Sequence, residues 1–209
     1  MKPTYNNFEA KENSQSFLEL PPAGVYVGTI MAVRVVEADG QKTFRDAIEL
    51  MVEITEGEYK GRFTDVYNEN VQRFGKDKAW YKGIFKLIPP MDGDEDWRYR
   101  AFEGNIWCVE ESNPGFHFRK PDGSWDEQGL AGKAIGINIR NRIYNYTASD
   151  ETVKERTTIE IARFETVQNV HNGKVHAAKD RDTRKVKEEE STSVPDGFTA
   201  VNTELPPWG

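Results

Sequence analysis

The strongest constraint on the fold is a stretch between residues 135 and 146 in which apolar and polar side chains alternate. The apolar positions share one parity and are all isoleucine: Ile135, Ile137, Ile139 and Ile143. The opposite parity carries polar and aromatic side chains, namely Asn138, Arg140, Arg142, Tyr144 and Tyr146. Because successive side chains of a strand point to opposite faces of its sheet, this pattern predicts a half-buried β-strand with a basic and aromatic outer face.

Four other segments carry strand signals, and one carries a helical signal. Alternating apolar residues, or many β-branched and aromatic residues, predict the strands. These strands cover residues 24–36, 48–54, 62–68 and 158–167. A rough apolar stripe predicts a helix over residues 70–88, which Pro89 and Pro90 would end. Residues 102–109 fit a short helix and a short strand equally well.

The order of these elements predicts a mainly β fold, with three strands, a helical insertion and two more strands. Five strands with a helix between the third and the fourth is the element sequence of an OB-type barrel. Pro21 and Pro22 mark the start of the predicted barrel domain, and the pattern of hydrophobic residues stops near the end of that domain. The sequence therefore predicts a flexible N-terminal arm over residues 1–20, a barrel domain over 21–175 and a disordered acidic tail over 176–209.

Charge is distributed unevenly along the chain. The net charge of the 209 residues is −7, which by itself argues against a nucleic-acid partner. Residues 188–209 hold five acidic residues and no Lys or Arg, so residues 1–187 carry only −2. A nearly neutral body is compatible with a local basic groove, because the charge close to a ligand governs its attraction.

Several function classes lack their usual sequence signals. Cys108 is the single cysteine, so an intrachain disulfide is excluded and a structural zinc site is not expected. No apolar run reaches the roughly 20 residues that span a bilayer, and residues 1–13 lack a signal-peptide core. There is no phosphate-binding glycine loop and no HExxH motif, and the acidic turn at 92–96 is typical of a solvated loop. We therefore expect a soluble cytoplasmic protein that is not an enzyme, uses no metal or cofactor and has no membrane partner.

The outer face of the predicted strand over residues 135–146 is the first candidate for ligand binding. Arg140 and Arg142 offer guanidinium groups, which pair with phosphates. Tyr144 and Tyr146 offer flat rings on which any base stacks, at roughly 1–3 kcal/mol per base. The alternative is an ordinary solvated strand face stabilised by cross-strand pairs.

Two further clusters mix basic and aromatic residues. The predicted helix contributes Arg73, Lys76, Lys78, Trp80 and Lys82. A loop rich in Gly, Pro and Asp contributes Phe118, Arg119, Lys120 and Trp125. Both sets fit the edge of a nucleic-acid groove, since loops between strands supply ligand contacts in OB folds. The alternative is that Trp80 anchors the helix on the barrel and that the loop aromatics pack on the body.

The C-terminal tip combines an acidic residue with the apolar residues that follow it. It consists of Glu204, Leu205, Pro206, Pro207 and Trp208, ahead of the final Gly209. A short apolar segment of this kind cannot build a core, but it suits docking into a partner's pocket. The tip resembles the tails of bacterial and phage single-stranded DNA-binding proteins, which place acidic residues before a proline and a terminal Phe; here Trp208 takes the place of that Phe.

Residues 20–26 and 130–137 resemble a phage-encoded protein family found beside replication and recombination genes. That family is OB-like and binds single-stranded DNA. The resemblance implies sequence-tolerant binding of single-stranded DNA in phage DNA replication or recombination, within the host cytoplasm. It also implies that the tail recruits replication or recombination proteins. The alternative is a protein–protein adaptor with weak or no DNA binding, and the sequence leaves open both DNA-versus-RNA preference and a homo-oligomer.

Overall fold

The structure, a computed structural model, describes residues 18–40, 45–148 and 151–184. The predicted arm up to residue 17 and the whole predicted docking tip lie outside these residues. Six strands occur in the described ranges: β1 Gly24–Val36, β2 Ala47–Ile54, β3 Ile84–Leu87, β4 Ala134–Thr147, β5 Val153–Glu165 and β6 Arg181–Asp182. The α-helices there are α1 Arg62–Phe74, α2 Asp96–Ser112 and α3 Val167–His171.

The six strands form one sheet, which confirms the predicted mainly β class. They are hydrogen-bonded in the order β3-β2-β1-β4-β5, and every pair on this path is antiparallel. The short β6 pairs with β4 in parallel. Within the described residues β3 and β5 are not hydrogen-bonded to each other, so the sheet is open between its two edge strands. None of the helices in these ranges has the length and apolar character that crossing a membrane requires.

The long strand β1 joins the two halves of the sheet. Its first half pairs with β4 and its second half with β2, and the two pairings overlap at Gly28 and Thr29. The β1–β2 register shifts between Ile30 and Ala32, the kind of irregularity that bends a strand. A Cβ atom at Gly28 would overlap the backbone oxygen of Glu53, so the neighbouring strand leaves room only for glycine at this position.

The core lies on the inner face of this sheet, and α2 covers it. Ile135, Ile137 and Ile139 are fully buried, as the alternation in the sequence predicts. They pack in one cluster with apolar residues of β1, β2, α1 and α2, including Ile30, Leu50, Val52, Phe63, Phe102, Ile106 and Val109. Burial of this many aliphatic side chains is the main favourable contribution to folding.

The predicted third strand over residues 62–68 is wrong, because these residues begin α1. Gly61 precedes the helix with a φ of 74°, which glycine adopts without strain. The carboxylate of Glu53 in β2 accepts hydrogen bonds from the backbone N–H groups of Phe63 and Thr64, at 3.2 and 2.7 Å. The first turn of a helix leaves such N–H groups without an intrahelical partner, so a carboxylate distant in sequence stabilises the helix start.

The predicted helix over residues 70–88 is wrong over most of its length. α1 ends at Phe74, and Gly75 follows with a φ of 84°. The chain then forms a single 3₁₀ turn and a loop before it enters β3 as the partner of β2. In β3 the side chain of Ile84 is exposed and that of Leu87 is buried. The C-terminal part of the predicted helix is therefore a short strand.

Close packing at Gly83 explains part of this difference. A Cβ atom there would overlap the backbone oxygen of Val52, so a side chain would keep this segment off β2.

The predicted helical insertion between the third and fourth strands exists, but α2 forms it. Residues 102–109, which fit either structure, belong to that helix. The last predicted strand begins at Val153 rather than at 158.

The strands β4 and β5 extend beyond the rest of the sheet. β1 pairs with β4 only as far as Ile139, whereas the β4–β5 pairing continues to Thr147 and Val153. Residues 140–147 and 153–160 therefore form a two-stranded projection, which we call the β4–β5 ribbon. β6 borders the ribbon through its pairing with Arg142 and Ile143.

We call residues 174–179 the strap. This segment lies against β4, and the predicted domain boundary at 175 falls within it. The fully buried Asn138 side chain anchors them. Its Oδ1 accepts a hydrogen bond from the N–H of Ala178 at 2.8 Å, and its Nδ2 donates to the carbonyl of His176 at 3.1 Å. The described chain then continues through β6 as far as Arg184.

Candidate nucleic-acid interface

The β4–β5 ribbon presents a basic and aromatic face. In antiparallel strands, directly opposed residues project from the same face. The register opposes Arg140 to Glu160, Arg142 to Thr158, Tyr144 to Arg156 and Tyr146 to Lys154. The four predicted residues of β4 therefore share one face, and two cations of β5 join them. Lys154 was missed because the sequence pattern assigned residues 148–155 to a turn, and Arg156 was missed because the predicted strand began only at residue 158.

A groove lies where the sheet is open, and we call it the seam groove. It is bounded by β3, β5 and the N-terminal half of α2, and its volume is about 590 Å³. Six charged side chains line it, of which one is acidic: Lys86, Arg98, Arg140, Arg142, Arg181 and Glu160. Excess positive charge in a concave surface focuses attraction on an anionic ligand.

Glu160 organises the three arginines on one side of the seam groove. Its Oε1 accepts hydrogen bonds from Nε of Arg140 at 2.8 Å and from Nη2 at 2.7 Å. Arg181 approaches the same oxygen at 3.6 Å, and Arg142 approaches Oε2 at 4.0 Å. One carboxylate cannot saturate three guanidinium groups, each of which has five N–H donors. The arginines are therefore held in place with donors left for an anionic ligand.

The opposite side of the seam groove is apolar and aromatic. The Trp97 side chain, at the start of α2, is 52% exposed, and the guanidinium of Arg98 lies 4.6 Å from its ring centroid. Ile84 and Ile88 expose apolar surface along β3 and just after it. Phe85 also lines the groove, and its ring centroid lies 4.4 Å from that of Phe164 in β5, so the two edge strands contact each other through side chains. A half-exposed indole beside cations is suited to stacking on a base.

A second depression, of about 680 Å³, adjoins the seam groove across β3, and we call it the Trp80 depression. Ile84 and Lys86 line both. The Trp80 side chain is 75% exposed, so it does not anchor a helix as the alternative interpretation had it. Lys86 also pairs with Glu49 at 2.7 Å, and Arg34 pairs with the same carboxylate.

Lys82 lies in the loop just before β3. Burial lowers the pKa of its ammonium group, and the neighbouring positive charge of Arg156 lowers that pKa further. Lys82 is thus half-buried and senses the charge of a ribbon residue, and it lines neither the seam groove nor the Trp80 depression.

Other predicted residues lie elsewhere. Arg73 pairs with Glu69 within α1 at 2.6 Å, and the exposed Lys76 and Lys78 belong to the 3₁₀ turn that follows. Among the described depressions, neither the seam groove nor the Trp80 depression is lined by any of these three cations.

The predicted binding loop over residues 116–125 packs on the body of the protein. Phe118 is only 3% exposed, with its ring 6.1 Å from that of Phe102 and 5.5 Å from that of Trp125. Phe118 is therefore not available to stack on a base, and its assignment to the binding site is wrong. Lys120 pairs with Asp126 at 3.3 Å.

Trp125 lines a separate depression of about 340 Å³, and Arg119 does not line that depression. Within the described residues, neither of these two side chains lines the seam groove or the Trp80 depression.

The acidic turn at 92–96 is tied to the body by an ion pair. Both oxygens of Asp94 accept hydrogen bonds from Arg45, at 2.5 and 2.6 Å, and the N–H of Met91 donates to it at 2.9 Å. The hydrogen bonds from Arg45 hold the pKa of Asp94 well below its usual range. In the described part of the chain, no group of three or more His, Cys, Asp or Glu side chains is placed to hold a metal ion.

Comparison with protein-family models finds no match for this chain, and comparison with curated proteins finds none either.

Proposed function

We propose that the chain binds single-stranded DNA in the seam groove without strong sequence preference. The composition of that groove carries the proposal: five cations, one carboxylate and the half-exposed ring of Trp97 line a single open depression. Guanidinium groups bind phosphates through several hydrogen bonds at once. Aromatic rings stack on bases of any type, but only when those bases are unpaired and accessible. The combination therefore favours an unpaired strand over a duplex.

The strand order supports the same proposal. We infer that the sheet is an OB-type barrel left open between β3 and β5, because the order β3-β2-β1-β4-β5, with α2 between β3 and β4, fits that fold. OB folds bind oligonucleotides on their second and third strands and on the loops that join strands 1–2 and 4–5. The seam groove includes β3, and the β4–β5 ribbon corresponds to the second of these loops.

We further propose that this binding serves phage DNA replication or recombination, and that the tip at residues 204–208 recruits proteins of those processes. Both proposals rest on the sequence resemblance, since the tip lies outside the described residues. The body of the protein would hold the strand while the tip docks into a partner's pocket.

A titration of labelled oligo-dT with the full chain, at several salt concentrations, tests the DNA proposal. We expect the logarithm of the binding constant to fall with the logarithm of salt concentration, by about 0.7 for each phosphate that is neutralised. Arg142→Ala removes one groove cation, so we expect the slope to decrease by about 0.7 and the affinity to fall about fivefold. Arg119→Ala, which removes an exposed arginine away from the groove, is the matched control and should leave both unchanged.

The alternative function predicts a different outcome of the same titration. A protein–protein adaptor would not bind the oligonucleotide even at about 50 mM salt, where electrostatic attraction is strong. Equal losses in the Arg142 and Arg119 variants would contradict the assignment of the site to the seam groove.

A further inference from the structure

A fourth depression lies beside the seam groove and is not explained by the predicted binding residues. Its volume is about 620 Å³, and it lies between the strap, α3 and the end of β5. Arg140 and Ala162 line both this depression and the seam groove, so the two are adjacent. We call it the strap depression.

The strap depression is basic. Besides Arg140, its cationic side chains are Arg163, Lys174 and Lys179, and Glu165 is its one acidic side chain. Glu165 already accepts hydrogen bonds from Arg163 at 2.6 Å and from the Nδ2 of Asn138 at 2.9 Å. Within the described residues, Lys174 and Lys179 make no ion pair, and both are exposed. Two lysines are thus available to an anionic ligand.

The strap holds these lysines in a defined place. Asn138, buried in β4, bonds to the strap at His176 and Ala178, between the two lysines. At the start of the strap, the N–H of Lys174 donates to the carbonyl of Asn169 in α3, at 3.0 Å. Because both ends of the strap are tied to ordered elements, the lysines line one wall of a depression.

We propose that the strap depression binds the sugar–phosphate backbone of the same DNA strand as it leaves the seam groove. This inference rests on the proposed function, and it assigns the strand a path along β5 from Trp97 to the strap. The two depressions would contact different parts of the strand. The seam groove offers an aromatic ring for bases, whereas the strap depression offers mainly cations for phosphates. A strand that fills both would need more nucleotides than the seam groove alone, within the roughly 4–16 nucleotides known for OB folds.

Oligonucleotide length separates the two depressions experimentally. The double variant Lys174→Ala/Lys179→Ala of the full chain is titrated with oligo-dT of about 6 and about 16 nucleotides. We expect the longer oligonucleotide to bind about fivefold more weakly than it binds the wild type, with a salt slope smaller by about 1.4. Binding of the shorter oligonucleotide should be unchanged, because it occupies the seam groove.

The matched control is Lys76→Ala/Lys78→Ala, which removes two exposed lysines that line none of the four depressions described above. It should leave the binding of both oligonucleotides unchanged. Equal losses in the control and the strap variant, equal losses for the two lengths, or no loss at all would overturn the strap inference. Failure of the proposed function looks different, because the wild type would then bind neither oligonucleotide.

Discussion

At the scale of single residues, Glu53 shows how tertiary contacts decide local structure. Its position in β2 places it on the polar parity of the strand, yet α1 covers it and it is only 7% exposed. Its carboxylate accepts hydrogen bonds from three backbone N–H groups, from the hydroxyl of Thr64 at 2.5 Å and from that of Tyr81 at 3.1 Å. A buried carboxylate is tolerated only when it is paired in this way.

The variant Glu53→Ala should therefore destabilise the protein strongly. It leaves the backbone N–H groups at the start of α1 and the hydroxyl of Thr64 without their buried acceptor, at a cost of about 3 kcal/mol in the free energy of unfolding. The hydroxyl of Tyr81 keeps the carbonyl of Val52 as its acceptor, at 2.9 Å. Urea denaturation followed by circular dichroism measures this loss. Glu49→Ala is the matched control in the same strand, where the carboxylate only pairs with surface cations, and it should cost less than about 1 kcal/mol. Similar losses in the two variants would show that the network around Glu53 does not position α1.

At the scale of elements, the sequence predicted the strands whose own pattern carries the information. β1, β2 and β4 alternate over seven or more residues, and they occur where the pattern places them. The segment from residue 62 to 88 was predicted wrongly because its structure depends on partners elsewhere, namely Glu53 for the start of α1 and β2 for β3.

The same distinction applies to the candidate site. The shared face of Arg140, Arg142, Tyr144 and Tyr146 follows from alternation alone. Trp97 was missed because nothing in its local sequence shows that the N-terminal half of α2 borders the opening between β3 and β5. Phe118 was assigned wrongly because a loop sequence does not reveal which of its rings is buried.

Helix α2 offers a direct test of the aromatic side of the seam groove. Trp97 and Trp107 lie on this one helix and are 52% and 53% exposed, but only Trp97 lines the groove. Trp97→Ala should weaken binding of oligo-dT by about 1–3 kcal/mol, the value of one base–aromatic stack. Trp107→Ala removes the same ring at the same exposure and should not change the affinity, as measured by fluorescence anisotropy of the labelled oligonucleotide. An equal effect of both substitutions would exclude stacking on Trp97.

At the scale of the whole molecule, the charge of the chain opposes the charge of its proposed site. The seam groove and the strap depression are cationic, whereas the whole chain carries −7. Five of the negative charges lie in residues 188–209. The described chain ends at Arg184, two residues after β6, and Arg181 of β6 lines the seam groove. The acidic residues therefore follow in sequence from a strand that borders the proposed DNA site.

Deleting residues 188–209 should consequently tighten DNA binding. The deletion changes the net charge from −7 to −2, so repulsion of the phosphate backbone, or competition for the arginines, decreases. We expect the affinity for oligo-dT to rise about threefold to tenfold at about 50 mM salt, and the difference to vanish near 1 M salt, where the screening length is about 3 Å. A chain of full length with Glu188, Glu189 and Glu190 replaced by Gln separates charge from length, and it should show part of the same gain. If the shortened chain binds no more tightly than the full chain at low salt, the tail does not act on the groove through its charge.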